Sequence, residues 1–156
     1  MIDARFEDAD ETPLRLVATD AEDLAVVSSL VQDAVLPVTE MRWQPGLRRF
    51  ALLLNRFRWE DQAGVTGRHA PERVQALLVI EDVRHAATTG FDRREKDLVL
   101  SLLSMDFAPG EDGTGRLTLW LAGDGAVALD VECINVALRD VTRPYRAPSG
   151  AVPRHD

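Results

Sequence analysis

The hydrophobic pattern of this chain changes from helical spacing to alternation at Pro37. In the stretch that leads to that residue, apolar side chains recur at the spacing of a buried helix face, at Leu24, Val27, Leu30, Val31 and Ala34. Thr19 or Asp20 can cap the start of this helix, and Pro37 ends it. After Pro37 apolar and polar residues mainly alternate, as in strands. The pattern therefore predicts an α+β protein with one amphipathic helix.

The remaining alternation is typical of antiparallel strands. The predicted strands cover residues 14–18 before the helix and 38–43, 48–59, 73–83, 98–107, 116–121 and 127–133 after it. Pro45-Gly46 and Gly123-Asp124-Gly125 are turn sequences that join neighbouring strands into hairpins. We expect the helix to pack on a strongly bent antiparallel sheet or partial barrel of about six to eight strands. A pleckstrin-homology-like half barrel is one version of this architecture.

Three segments carry more specific predictions. Residues 73–83 are apolar on both parities, which favours a central strand covered on both faces. Residues 92–105 fit a helix or a strand, and we favour a helical turn at 92–96 followed by a strand. Residues 132–141 fit either a strand after a bulge or a closing helix, and both alternatives stay open.

The domain organisation follows from composition and length. Residues 1–12 are acidic with little to bury, so we expect a disordered end. Residues 13–142 form a single α+β domain, interrupted by a glycine-containing loop at 60–71. The proline-containing tail at 143–156 is also expected to be disordered.

Charge and cysteine content limit the classes of function. The chain of 156 residues has a formal net charge of −8, which disfavours nucleic acid and anionic membranes as partners of the whole surface. One cysteine excludes a disulfide framework, and no secretory signal or membrane-length apolar run is present. We therefore expect a cytoplasmic protein.

Several segments resemble a known family. They are Asp20 with 23–24 and Val26, Gln32–Val35, Arg48–Phe57 with Trp59, Lys96–Asp97 with 99–103, and Val131–Ile134. In these segments the chain is similar to an uncharacterised family of small alphaproteobacterial proteins, known only as a domain of unknown function. The likeness covers residue 14 to about residue 141. This resemblance implies no activity, cofactor or catalytic residue.

No set of residues has the spacing of a catalytic or metal site. Cys133 falls in an apolar stretch without a nearby histidine, so we interpret it as a buried small hydrophobe. His69, His85 and His155 lie far apart in the sequence, and no pair has ligand spacing. Glycine-rich phosphate loops that lead into a helix are missing. We expect no catalytic residue, no metal and no cofactor.

The strongest functional feature is a basic hairpin. Residues 41–60 contain five arginines and only one acid, in a chain that is acidic as a whole. If strict alternation continued past Leu54, Arg56 and Arg58 would point into the core, which is costly without partners. A bulge near Asn55 would instead place them outside. The predicted binding residues are therefore Arg42, Arg49, Arg56 and Arg58.

These observations favour a non-enzymatic binding or assembly module that docks an acidic protein segment on the arginine and aromatic hairpin. The first alternative is a small enzyme with a site near His85, Asp82 and Arg56 or Arg58. The second is a weak RNA-binding protein. The sequence predicts no oligomeric state and does not identify the partner.

Overall fold

The computed structural model describes residues 13–60, 72–141 and the backbone of 145–146. Its elements are β1 (Arg15–Ala18), α1 (Ala21–Leu30), β2 (Val35–Pro37), β3 (Met41–Gln44), β4 (Arg49–Phe57), β5 (Glu72–Ile80), β6 (Val83–Thr89), β7 (Val99–Pro109), β8 (Gly115–Leu121), β9 (Gly125–Val131), β10 (Val136–Asp140) and β11 (Tyr145–Arg146). Short 3-10 turns occupy Val38–Glu40, Pro45–Leu47 and Glu111–Gly113. The predicted disordered end at 1–12, the predicted loop at 60–71 except Glu60, and the predicted tail at 143–156 except Tyr145 and Arg146 lie outside the described residues, and so do His69 and His155.

Helix α1 starts where the sequence indicates but ends earlier. Asp20 is the cap, since its Oδ1 accepts a hydrogen bond from the Asp23 amide at 2.7 Å. The helix stops at Leu30, whereas the apolar spacing extends it to Ala34. At Asp33 the backbone adopts a left-handed conformation, with φ of 64°, and the chain then pairs with β7 as strand β2. Strand pairing therefore overrides the helical pattern in this stretch.

The strands of the described residues form one antiparallel network. Its order is β1-β10-β5-β4-β2-β7-β8-β9-β6, with β3 added to β4 and β11 added to β5. The end strands β1 and β6 are not paired with each other, so the path is not closed. Helix α1 contacts β1 and β7 and contributes Leu24 and Val27 to the core. The prediction of one helix packed on an antiparallel sheet is confirmed.

The predicted number of strands is too small, because the described sheet has 11 strands. The predicted strand at 73–83 ends at Ile80 as β5, and a separate strand that the sequence analysis does not predict, β6, begins at Val83 after Asp82, where φ is 58°. Strand β6 pairs with β9 and not with β5. Strand β6 contains polar residues such as Arg84 and His85, so it lacks the apolar alternation that predicts a strand. Tyr145 and Arg146, expected in the tail, pair with β5.

Other segments agree with the sequence. Strands β3 and β4 form the predicted hairpin around Pro45–Leu47, and β8 and β9 form the second hairpin, where Asp124 has φ of 66°. The turns after Phe91 lead into strand β7, as we favoured for 92–105. The open alternative at 132–141 resolves as a strand, β10, at Val136–Asp140. This strand continues the sheet between β1 and β5.

The buried apolar residues of the sheet and of helix α1 form one core cluster. Strand β4 contributes Phe50, Leu52 and Leu54, and across from them β5 contributes Ile80, Leu78 and Ala76. Burial of each large aliphatic or aromatic side chain contributes roughly 1.5–3 kcal/mol relative to exposure. The opposite parity of β4 and β5 is half-buried, apart from Phe57 at the end of β4, which is completely buried. Of the two faces of β5, the described residues therefore bury one completely and the other only in part.

Candidate functional site

The predicted bulge near Asn55 is not present. Strands β4 and β5 stay in register from Phe50 opposite Ile80 to Phe57 opposite Arg73. Alternation therefore continues and directs Arg56 into the core, where its side chain is 0% exposed. The side chain of Arg58, just beyond the strand, is 4% exposed. The expectation that these two arginines lie on the outer surface is wrong.

Arg56 avoids the cost of burial because every donor of its guanidinium has an acceptor. The Asp140 carboxylate accepts two hydrogen bonds, both at 3.0 Å. The Glu60 carboxylate accepts two more, at 2.8 and 2.7 Å, and the Phe57 carbonyl accepts the fifth at 3.1 Å. Together these use all the N–H groups of an arginine. Because Asp140 is on β10, the arginine also connects β10 to the end of β4.

The charges of this cluster reinforce one another. Burial lowers the pKa of Arg56, but its hydrogen bonds to Glu60 and Asp140 outweigh that effect and raise the pKa overall. Burial raises the pKa of Glu60, but the hydrogen bonds and charge of Arg56 outweigh it and lower the pKa overall. Arg58 donates to Glu72 at 3.1 Å and lies 3.9 Å from Glu60. We call Arg56, Arg58, Glu60, Glu72 and Asp140 the buried charge cluster, in which the two arginines and Asp140 are buried and the two glutamates are partly exposed.

Two further arginines of the hairpin are paired at the surface. Arg49 forms an ion pair with Glu81 through two contacts, one of them at 3.3 Å. The hydrogen bond from Arg49 and the charge of Glu81 raise the pKa of the arginine. Arg48 has a left-handed backbone, with φ of 54°, and pairs with Glu132. Neither arginine is available as a free cation, although both remain partly exposed.

Arg42 has a different environment. It is exposed on β3 and has no ion pair or hydrogen bond with any residue in the described part of the chain. It lines an open cleft of about 710 Å³. The lining residues, which we call the arginine cleft, are Val38, Thr39, Met41, Arg42, Trp43, Gln44, Thr88, Phe91, Asp92, Arg93 and Arg94. The structure therefore places one of the four predicted binding residues in a concave site, together with two arginines that the sequence analysis did not select.

Two strands with an open edge contribute to the lining of the cleft. Within the described residues β3 pairs only with β4, and β6 pairs only with β9, so each has one open edge. Strand β3 and the turn before it supply one part of the lining, and Thr88 near the end of β6 and residues 91–94 supply the rest. An open strand edge presents unpaired backbone donors and acceptors to an extended peptide.

The charges of the cleft are mostly positive. Three arginines face one carboxylate, that of Asp92. Arg94 donates two bonds to Asp92 Oδ1 and Oδ2, at 3.1 and 3.0 Å, and these bonds lower the pKa of the acid. The side chain of Arg94 nevertheless remains 91% exposed. Arg93 is exposed and, like Arg42, has no ion pair or hydrogen bond among residues 13–60 and 72–141.

Two aromatic residues, Trp43 and Phe91, also line the cleft. Trp43 is half-buried and lies with its ring centroid 6.4 Å from that of Phe50, which is completely buried in the core. Phe91 is also half-buried and packs on the core. Arginine beside partly exposed aromatic residues is the composition that protein interfaces favour at their centres.

The residues of the predicted enzyme alternative do not come together. Asp82 and His85 follow Ile80, which pairs with Phe50, whereas Arg56 pairs with Val74 at the other end of β5. Six residues of strand separate these positions by roughly 20 Å. His85 is exposed, and Asp82 accepts a hydrogen bond from Asn135 at 3.1 Å. These residues therefore do not form one constellation with Arg56 or Arg58.

Cys133 is not in a strand and is not buried, contrary to the sequence analysis. It is exposed in the turn between β9 and β10, with its sulfur 3.5 Å from Asp82 Oδ2. Local burial, the hydrogen bond to Asp82 and the charges of Asp82 and Glu132 raise its pKa. No cluster of three metal-ligating His, Cys, Asp or Glu side chains occurs in the described ranges.

The sequence analysis missed Phe91, Arg93 and Arg94 because it interpreted residues 92–96 only as a helical turn. The available signal was the run Phe91-Asp92-Arg93-Arg94, which combines an aromatic residue with two adjacent cations. No sequence spacing connects this run to Arg42, because tertiary structure brings the two segments together.

Within the described ranges no helix combines the length and the apolar character that crossing a bilayer requires. Searches of curated proteins and of solved structures found no match to this chain. Residues 14–155 match a family described as protein of unknown function (DUF2948). This match covers most of the chain, including the whole sheet and the arginine cleft, and so the protein belongs to the DUF2948 family.

Proposed function

We propose that this protein is a cytoplasmic, non-enzymatic binding module whose arginine cleft docks an acidic, extended segment of another protein. The observation that supports this most directly is the pairing state of the cleft arginines. Arg42 and Arg93 are exposed without a partner among the described residues, although the chain has an excess of acids that could neutralise them. Their free donors suit carboxylates of a ligand.

The shape of the cleft favours an extended peptide over a small anion. A volume of about 710 Å³, lined in part by two strands with an open edge, accommodates several residues of chain. Backbone groups of β3 can pair with the peptide, while Trp43 and Phe91 offer apolar contacts to its side chains. Carboxylates on the peptide would then face Arg42, Arg93 and Arg94. An acidic peptide with interspersed apolar residues matches all of these features.

The test is fluorescence anisotropy with two labelled octapeptides, one that alternates glutamate with phenylalanine and one in which lysine replaces glutamate. We expect the acidic peptide to bind and the basic peptide not to bind. In the double variant Arg42→Glu/Arg93→Glu, binding should weaken at least about tenfold, since a hydrogen bond to a charged group contributes ~1.5–3 kcal/mol. Arg84→Glu is the matched control, because Arg84 is exposed on β6 but does not line the cleft.

Two results would contradict the proposal. One is equal binding of the acidic peptide to the wild type and to the double variant. The other is binding of a labelled single-stranded RNA to the wild type at physiological salt, with no binding of the acidic peptide. The second result would favour RNA, whose backbone also binds arginine and whose bases stack on aromatic rings.

A further inference from the structure

A second surface lies on the outward face of the sheet formed by β1, β10, β5 and β4. Residues that pair directly in an antiparallel sheet project from the same face. The register aligns Val17 with Ala137, then Val79 and Ala51, and in the adjacent row it aligns Leu77 with Leu53. We call these outward residues the aliphatic face: Val17, Ala51, Leu53, Leu77, Val79 and Ala137.

The described part of the chain leaves the aliphatic face partly exposed. Its members are not part of the core cluster: Val17 is 60% exposed, and the other five are half-buried. Helix α1 lies on the opposite side, where it contributes Leu24 and Val27 to the core. An antiparallel sheet that exposes one face normally carries polar residues there. A contiguous aliphatic surface instead marks a place where another element binds.

Unpaired cations lie at two sides of this face. Arg15 and Arg139 pair across β1 and β10 in the same row as Leu77, and Arg42 on β3 pairs with Ala51 at the other side. All three are exposed, and none has an ion pair or hydrogen bond within residues 13–60 and 72–141. An apolar centre with an unpaired basic rim is complementary to an apolar stripe with acidic flanks.

The backbone determines which kind of element can bind here. Strands β10, β5 and β4 are each paired on both sides, so they have no open edge in the centre of the face. An added strand therefore has nothing to pair with, and contact must be made through side chains alone. An amphipathic helix presents such a stripe of side chains, and a helix on a sheet is a standard two-layer packing.

We propose that the aliphatic face is a docking surface for an acidic amphipathic helix of a partner protein. Its leucine-like stripe would cover Leu77, Val79 and Leu53, and its acidic flanks would pair with Arg15, Arg139 and Arg42. The proposal shares only Arg42 with the arginine cleft, and the variants that test its binding change residues that do not line the cleft. A second copy of this chain is a poorer occupant, since two copies of this face would bring their basic rims together.

The experiment uses a fluorescein-labelled 18-residue peptide, of about five helical turns, with leucines along one face and glutamates elsewhere. A second peptide has the same composition in an order that has no apolar stripe. The full-length protein should bind the first peptide and bind the second at least about tenfold more weakly. In Arg15→Glu/Arg139→Glu, binding of the first peptide should weaken at least about tenfold.

A second variant tests the apolar contacts, and a third is the matched control. Leu77→Gln/Val79→Thr should also weaken binding by about tenfold or more, with folding verified by circular dichroism. If this variant does not fold, the arginine variant still tests the proposal, because both of its residues are exposed. Arg93→Glu/Arg94→Glu makes the same change of charge in the cleft and should leave binding of the helical peptide unchanged. The same control should lose binding of the acidic octapeptide, which the Arg15/Arg139 and Leu77/Val79 variants should retain. This difference separates the two sites.

Four outcomes would overturn the proposal. They are equal binding of both 18-residue peptides, no effect of the Arg15/Arg139 substitutions, tighter binding after deletion of residues 1–12, and a dimer in sedimentation that the Leu77/Val79 substitutions dissociate. The third outcome would identify the acidic first segment of this chain as the occupant, because it contains Ile2 and Phe6 among five acids. The fourth would identify a second copy.

Discussion

The two ends of the β3–β4 hairpin contain the same residue type in opposite environments. At one end Arg56 is buried and binds the carboxylates of Asp140 and Glu60, and Arg58 is buried and binds that of Glu72. At the other end Arg42 is exposed beside an open cleft and has no partner in the described part of the chain. The difference shows that a cluster of arginines in one hairpin is not one surface, because partners elsewhere in the fold decide which arginines remain available.

The largest expected effect comes from reversing charge in the buried charge cluster. Arg56→Glu/Arg58→Glu places two new acids beside three existing ones, and removal of one partner from a buried pair already costs about 3–5 kcal/mol. We expect this variant not to fold. Arg42→Glu/Arg93→Glu should change the free energy of unfolding by less than about 0.5 kcal/mol, since both sites are exposed.

Urea unfolding followed by circular dichroism compares the two variants directly. Arg56→Met is a milder version that removes the charge and retains an apolar side chain of similar length, and its loss of stability should lie between those of the two double variants. A folded Arg56→Glu/Arg58→Glu protein with wild-type stability would mean that the buried cluster is not a feature of the protein in solution.

Whether a part of this contrast can be predicted from the sequence depends on how far apart the interacting residues lie along the chain. Alternation in Phe50, Leu52 and Leu54 predicts β4 and its inward face, because it depends only on neighbouring residues. The same alternation points Arg56 inward, but Asp140, the more deeply buried of its two carboxylate partners, is 84 residues away. Without that partner, burial of an arginine is unfavourable, and a bulge becomes the better prediction. The wrong orientation therefore follows from a missing long-range contact.

The arginine cleft was hidden from the sequence for the same reason. Arg42 was selected from its local pattern, but Phe91 and Arg93 come from a turn that is separate from the hairpin in sequence. The aliphatic face could not be predicted for a different reason. Leu77 and Val79 correctly predict a strand. Apolar residues on both parities normally indicate a sheet that is covered on both faces, and the partly exposed face becomes evident only in the three-dimensional structure. The pleckstrin-homology-like version of the fold stays a prediction.

An intermediate effect is expected from pH at the buried end of the hairpin. The pKa of Glu60 is lowered below its ordinary value of 4.5 because the hydrogen bonds and charge of Arg56 outweigh the effect of burial. A carboxyl group with a lowered pKa in the folded state contributes stability above its unfolded pKa and loses it as pH falls through the folded pKa. The free energy of unfolding should therefore decrease on acidification below about pH 4.5.

The Glu60→Gln variant isolates this contribution. It should be less stable than the wild type near pH 7, and its stability should decrease less between about pH 5 and pH 2, since glutamine does not titrate. Asp92→Asn in the arginine cleft is the comparison at the exposed end, where the acid is paired with Arg94 at the surface and should contribute little. Parallel acid dependence of the wild type and Glu60→Gln would contradict the assignment of this carboxylate to the cluster.

The smallest expected effect concerns the reactivity of Cys133, in the turn after β9. Its pKa is raised above the ordinary value of 9.0 by local burial and then by Asp82, whose carboxylate lies 3.5 Å from the sulfur and disfavours a thiolate. The thiolate is the reactive form, so alkylation by iodoacetamide should be slow at neutral pH although the side chain is exposed. In Asp82→Asn the pH at which the alkylation rate is half-maximal should be lower, because a neutral amide does not repel the thiolate.

Circular dichroism of the same samples verifies that the variant is folded, since Asp82 also accepts a hydrogen bond from Asn135 in this turn. An unchanged midpoint in a folded variant would show that Asp82 does not act on the sulfur, and it would leave the arginine contrast at the two ends of the hairpin unaffected.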